Sequence, residues 1–88
     1  MTKAKLFKVC RGILHNSPLD KPLSQANVKW LWNNVYKYHP NRDYKYEDIV
    51  SITPRHNWEY GNDNFAFWVE TTDGKGDFWS FQKAIKNK

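Results

Sequence analysis

Apolar positions recur along the chain in two different periods. Over residues 4–15, Leu6, Val9, Cys10, Ile13 and Leu14 follow the helical repeat and form one apolar stripe, with Lys5, Lys8, Arg11 and His15 on the opposite side. Asn16-Ser17-Pro18 stops this helix, because the residue before a proline avoids the α region. Residues 16–23, with Pro18 and Pro22, read as a loop. Ser24 is placed to cap a second helix over 25–38. Val28, Leu31, Trp32, Val35 and His39 make its apolar face, with Tyr38 at the edge and Trp30, Asn33, Asn34 and Lys37 on the other side. Pro40 ends it, and 41–48 is a polar connection.

Beyond this point the period changes to two. Ile49 to Thr53 is β-branched and predicts a strand that Pro54 either ends or marks as an edge. Glu59 to Asn64 is a turn cluster. From Phe65 to Thr71 the pattern alternates: Phe65, Phe67 and Val69 point one way, Ala66, Trp68 and Glu70 the other. Asp73-Gly74-Lys75-Gly76 signals a tight turn, Asp77 to Trp79 a short returning strand, and Ser80 a cap for a last helix over 81–86. The order predicts an α+β fold: one domain over 1–88, with a small antiparallel three-stranded sheet packed against two N-terminal helices and one C-terminal helix.

With 88 residues the chain must build its core from large side chains, and five Trp, five Tyr and five Phe supply them. The single cysteine, Cys10, forms no internal disulfide and suits a reducing compartment. No apolar run approaches a membrane span, and the basic N-terminus lacks the continuous apolar segment of a signal peptide. The expectation is a cytoplasmic protein with no membrane partner.

The net charge of +5 is unevenly spread. Residues 1–23 hold Lys3, Lys5, Lys8, Arg11 and Lys21 against Asp20 alone. Residues 75–88 hold Lys75, Lys83, Lys86 and Lys88 against Asp77, whereas 49–74 is acidic. If the two ends meet, as termini often do, they pool into one basic face.

Short motifs resemble the DCL-type domain, named for "defective chloroplasts and leaves". Phe67-Trp68-Val69-Glu70-Thr71-Thr72-Asp73-Gly74, then Asp77-Phe78, Ser80 and Lys83-Ala84-Ile85, look like its apolar strand, Asp-Gly turn and Lys-containing last helix. Ile13-Leu14, Pro18-Leu19, Leu23-Ser24, Leu31, His39-Pro40 and Lys45 resemble its first half; Ile49, Ile52, Thr53 and His56 resemble its middle. Such domains occur in plastid proteins linked to ribosomal RNA processing, in a plant RNA polymerase tail, and in bacterial and phage proteins. The resemblance implies work in nucleic-acid metabolism, and a stand-alone bacterial or phage version.

The residues themselves point to binding rather than catalysis. Lys5, Lys8, Arg11 and His15 carry no interleaved acid, which suits tracking of phosphates, although any amphipathic helix needs a charged outer face. Trp30 beside Lys37 suits base stacking with phosphate contact, unless a loop covers it. Trp68 and Trp79, on adjacent strands opposite the phenylalanines, would make either a stacking platform or a core pair. His15, His39 and His56 have no metal-ligand spacing, and Asp73 with Asp77 is better explained by a hairpin turn than by a carboxylate pair. Neither a cofactor nor a small-molecule substrate is expected. The expected partner is nucleic acid, RNA ahead of DNA, held by Lys5, Lys8, Arg11, His15, Trp30, Lys37, Lys83 and Lys86, with Lys88 alongside. The alternative is a protein-interaction module, such as a phage-encoded inhibitor, whose basic face meets an acidic host protein. A small nuclease is the weakest of the three, because no acid/base or metal set stands out.

Overall fold

The computed structural model describes residues 1–39, 44–57 and 64–88. Three α-helices, α1 (Lys3–Asn16), α2 (Gln25–Asn34) and α3 (Phe81–Lys86), accompany three strands, β1 (Ile49–His56), β2 (Phe65–Thr71) and β3 (Gly76–Phe78). The strands form one antiparallel sheet in the order β1-β2-β3, so the fold is α+β as the sequence predicts. The predicted turn cluster Glu59 to Asn64, apart from Asn64, lies outside the described residues, as do Pro40 and the first part of the predicted 41–48 connection.

Each α-helix starts at a hydroxyl. Thr2, Ser24 and Ser80 accept from the amides of Lys5, Asn27 and Lys83. An N-cap satisfies a first-turn donor that would otherwise lack a partner. In α1 the buried residues are Leu6, Cys10 and Leu14, one row of the predicted stripe. They meet Val28, Leu31, Ile52, Phe67, Val69, Ala84 and Ile85 in a single core between the helices and one sheet face.

The second helix is shorter than its pattern predicts. It ends at Asn34, Val35 breaks the helical geometry at φ −132° and ψ −68°, and a 3-10 turn follows over Tyr36–Tyr38. Two consecutive asparagines, Asn33 and Asn34, weaken the last turn, and Asn34 Nδ2 donates to the Trp30 carbonyl at 2.9 Å. After the break the Tyr38 amide donates to Val35 rather than to Asn34. The carbonyl thus released by Asn34 accepts instead from Lys88 Nζ at 3.4 Å. The break also turns Tyr36, absent from the predicted apolar face, fully into the core.

Pro54 does not end β1, which runs on to His56. Both backbone groups of a strand residue point to the same side, and the Pro54 carbonyl accepts from the Asp20 amide on the outer edge, away from β2. The missing proline N–H therefore costs the ladder nothing. Leu23 donates to Ile52 on the same edge, so the loop before α2 covers it. The opposite edge belongs to β3, which lies one residue earlier than predicted. There Asp77 Oδ1 takes the Phe78 amide at 2.8 Å, blunting the strand against further pairing.

Candidate nucleic-acid interface

The first and last helices lie side by side and antiparallel. Lys3 Nζ donates to the Lys86 carbonyl at 3.4 Å, and Phe7 meets Phe81 edge-to-face at 6.2 Å. Lys3, Phe7 and Arg11 follow at four-residue spacing, a row along one side of a helix, so Arg11 continues the flank that faces α3. Lys5 is two residues, about 200°, round from Lys3, and Lys8, five residues or about 140° round, lies beside Lys5 on the outward side of α1. Lys8, Arg11, His15, Lys83 and Lys86 are all exposed. None of the chain's nine carboxylates stands on α1, α2 or α3, so the charged side chains these helices carry are all cations.

A second group of cations collects at the end of α2. Lys37 Nζ and Lys88 Nζ lie 5.2 and 5.1 Å from the centroid of the Tyr38 ring, whose negative face attracts them. Lys83 lines the same groove as His39. Burial first, and the Lys83 charge second, hold the His39 imidazolium below its ordinary 6.5, so the ring is neutral at pH 7.

Trp30 is less exposed than the pattern predicts: it is half-buried and packs against the core. The predicted pairing of Trp68 with Trp79 is corrected. The register sets Trp68 opposite Phe78, and the two rings meet edge-to-face at 5.0 Å on the sheet face away from the helices. Alternation then sends Trp79 to the other side, where it packs edge-on against Tyr36 at 5.5 Å. On the outer face the Arg55 guanidinium lies 5.1 Å from the Trp68 ring and 3.8 Å from Asp20.

His15 and His56 flank one ring, Phe65, at 5.6 and 4.7 Å. Among the described residues there is no group of three or more His, Cys, Asp or Glu placed to hold a metal ion. No helix among them is long and apolar enough to cross a membrane. Asp73 and Gly74 form the turn between β2 and β3, with Gly74 at φ 82°. The Asp73 carboxylate accepts from Thr71 Oγ1 at 2.6 Å, the Lys75 amide at 3.0 Å and Tyr44 Oη at 3.1 Å.

Sequence reasoning misses Lys3, Tyr38, His39 and Tyr44 as members of this surface. Lys3 is legible as the start of the Lys3–Phe7–Arg11 row. Tyr38 and His39 follow the break at Val35, which the period of the pattern does not reveal, and Tyr44 is placed by its contacts with Trp79 and Asp73.

Residues 11–85 match the model of a family described as a protein of unknown function, DUF3223. The chain belongs to the DUF3223 family. No curated protein and no solved structure matches it. The DUF3223 match takes in Arg11, the whole sheet, His39, Trp79 and Lys83, whereas Lys3, Lys5 and Lys8 precede it.

Proposed function

We propose that this protein is a non-enzymatic nucleic-acid-binding module that holds RNA, ahead of DNA, on the helical surface built from α1 and α3. The observation that carries this reading is the antiparallel contact of the two helices, tied by Lys3 to Lys86 and free of carboxylates along both. Solvated helix faces commonly mix signs; a one-sign surface suits a polyanion. Lys8, Arg11 and Lys86 would neutralise phosphates, and Lys37 with Lys88 would extend the contact past Tyr38. The resemblance to the DCL-type domain supports the same reading, through the ribosomal RNA processing with which such domains are linked. The free Cys10 thiol fits a reducing, cytoplasmic setting.

The test is a fluorescence-anisotropy titration with single-stranded RNA at about 50 and 200 mM salt. Binding is expected to weaken steeply with salt and to be lost in the triple variant K8E/R11E/K86E, whose exposed positions leave the core intact. Affinity that ignores both salt and charge reversal rejects the reading. An acidic protein would suit the same surface, since its carboxylates would meet the same unneutralised lysines. A complex recovered from cell lysate that survives nuclease treatment, and that K8E/R11E/K86E abolishes, would favour that second reading.

A further inference from the structure

We propose that the groove between β2 and α3 is a cleft for unpaired bases, which makes the ligand a single-stranded nucleic acid; this rests on the nucleic-acid reading above. The groove has a volume of about 1010 Å³ and is open to solvent. That is at the upper end of the range for ligand sites, roughly 300–1,000 Å³. β3 is only three residues long and covers β2 from Trp68 to Glu70, so among the described residues the Phe65 end has no neighbouring strand on that side.

The lining is aromatic where the groove meets the helices. Trp79 leaves β3 and is fixed edge-on by Tyr36. Tyr44 lies over Trp79 at 5.7 Å and 26°, and His39 lies at 6.4 Å and 31°. Tyr44 is thus stacked on Trp79 and His39 is tilted toward it, and all three are half-buried and line the groove. His39 is kept uncharged there, which preserves a neutral π-face. Every base has a π-face, so such a wall accepts bases without regard to sequence.

Lys83 joins this wall to the basic surface. It lines the groove and is also exposed on α3, next to the phosphate-binding strip. A strand lying along α1 and α3 would have its backbone on the lysines and its bases turned toward Tyr44 and Trp79. Only unpaired bases can make that turn, because duplex pairing keeps the ring faces stacked inside the helix. The opposite end of the groove, at β3, carries Lys75 and Asp77 of opposite sign and adds no net attraction.

The experiment uses the full chain and three RNA probes of equal length: a mixed-sequence single strand, the same backbone without bases, and a duplex. The base-bearing single strand is expected to bind about tenfold or more tightly than the abasic strand, the effect of roughly one stacked base. Tyr44→Leu should bring that ratio toward one. Equal affinity for base-bearing and abasic strands overturns the cleft and leaves the basic-surface reading standing. Duplex binding tighter than single-strand binding also overturns it. Failure of all three probes to bind at low salt removes the basic-surface reading itself.

Discussion

The hydroxyl of Tyr36 donates to the main-chain carbonyl of Trp79 at 2.8 Å, across 43 positions of sequence. The same two residues meet ring to ring at 5.5 Å, and Tyr36 also packs edge-to-face on Phe67 at 6.5 Å. One side chain therefore ties the end of the helical layer to the point where β3 gives way to α3. Tyr36→Phe keeps the rings and deletes the hydrogen bond. The expected cost is about 1–2 kcal/mol of unfolding free energy, read from urea denaturation. Tyr36→Ala also opens a cavity and should cost about 3–5 kcal/mol, by analogy with phenylalanine truncations. If Tyr36→Phe left the midpoint unchanged, the hydroxyl would have no structural part.

This contact also marks where sequence reasoning stops. The three strands, both predicted serine caps and the turn at Gly74 are readable because each depends on neighbours within four residues. The meeting of α1 and α3 enters the sequence reading only as a condition on the chain ends. Tyr36 is not readable. Its burial accompanies the Val35 break, beside which Asn34 donates to the Trp30 carbonyl and accepts from Lys88 at the far end of the chain. Trp68 and Trp79 fail for a related reason. Alternation says that Phe78 and Trp79 face opposite ways, but only the register with β2 decides which of them faces Trp68.

Burial gives Cys10 a pH signature. Its thiol is pushed up from 9.0 to about 12 by desolvation alone. The unfolded thiol ionises near 9 while the folded one stays protonated, so the unfolded state gains relative stability as pH rises through that window. Stability should therefore be level below pH 9 and fall between 9 and 12, by up to about 1.4 kcal/mol per pH unit for the single proton. Tyr36, raised well above 10.0 chiefly by burial, adds its own loss only above pH 10. Comparing the wild type with Cys10→Ala between pH 9 and 10 separates the two. The variant should be flatter there, and a thiol reagent should react with the wild type only after unfolding. Fast native labelling would contradict the burial of Cys10.

Asp73 predicts the opposite behaviour in acid. Its carboxyl is held below the ordinary 3.8, first by the Thr71 hydroxyl, then by the Lys75 amide, with the Tyr44 hydroxyl and the Lys75 charge adding to it. A depressed folded value stabilises the fold above the unfolded value and loses that contribution as pH falls through the folded one. The β2–β3 turn should loosen below about pH 4. Asp73→Asn should abolish this acid step while lowering stability at neutral pH. Amide exchange at Lys75, whose N–H donates to Asp73, is the local readout. Protection of that amide that is unchanged by acid would show the carboxylate to be dispensable.

Gly74 and Gly76 stand two residues apart, yet alanine should fail at them for different reasons. At Gly74 the φ of 82° is the obstacle, and nothing lies within 4 Å of where an alanine methyl would stand. Gly74→Ala should cost about 1–2 kcal/mol from the left-handed backbone alone. At Gly76 the backbone carries no such strain, but a Cβ would come within 2.5 Å of the Trp68 ring carbon Cζ2 and 2.8 Å of Nε1. That indole nitrogen is buried and without a hydrogen-bond partner among the described residues, so the ring lies pressed onto the glycine. Gly76→Ala must lift the ring, disturbing its contacts with Phe78 and Arg55, at about 1–3 kcal/mol. The two mechanisms separate in a double variant. Trp68→Ala should rescue Gly76→Ala, because the obstructing ring is gone, and should leave the penalty at Gly74 unchanged, because backbone strain does not depend on the neighbour. Measuring both cycles by urea denaturation decides it: equal rescue at both positions, or rescue at neither, would refute the steric account of Gly76.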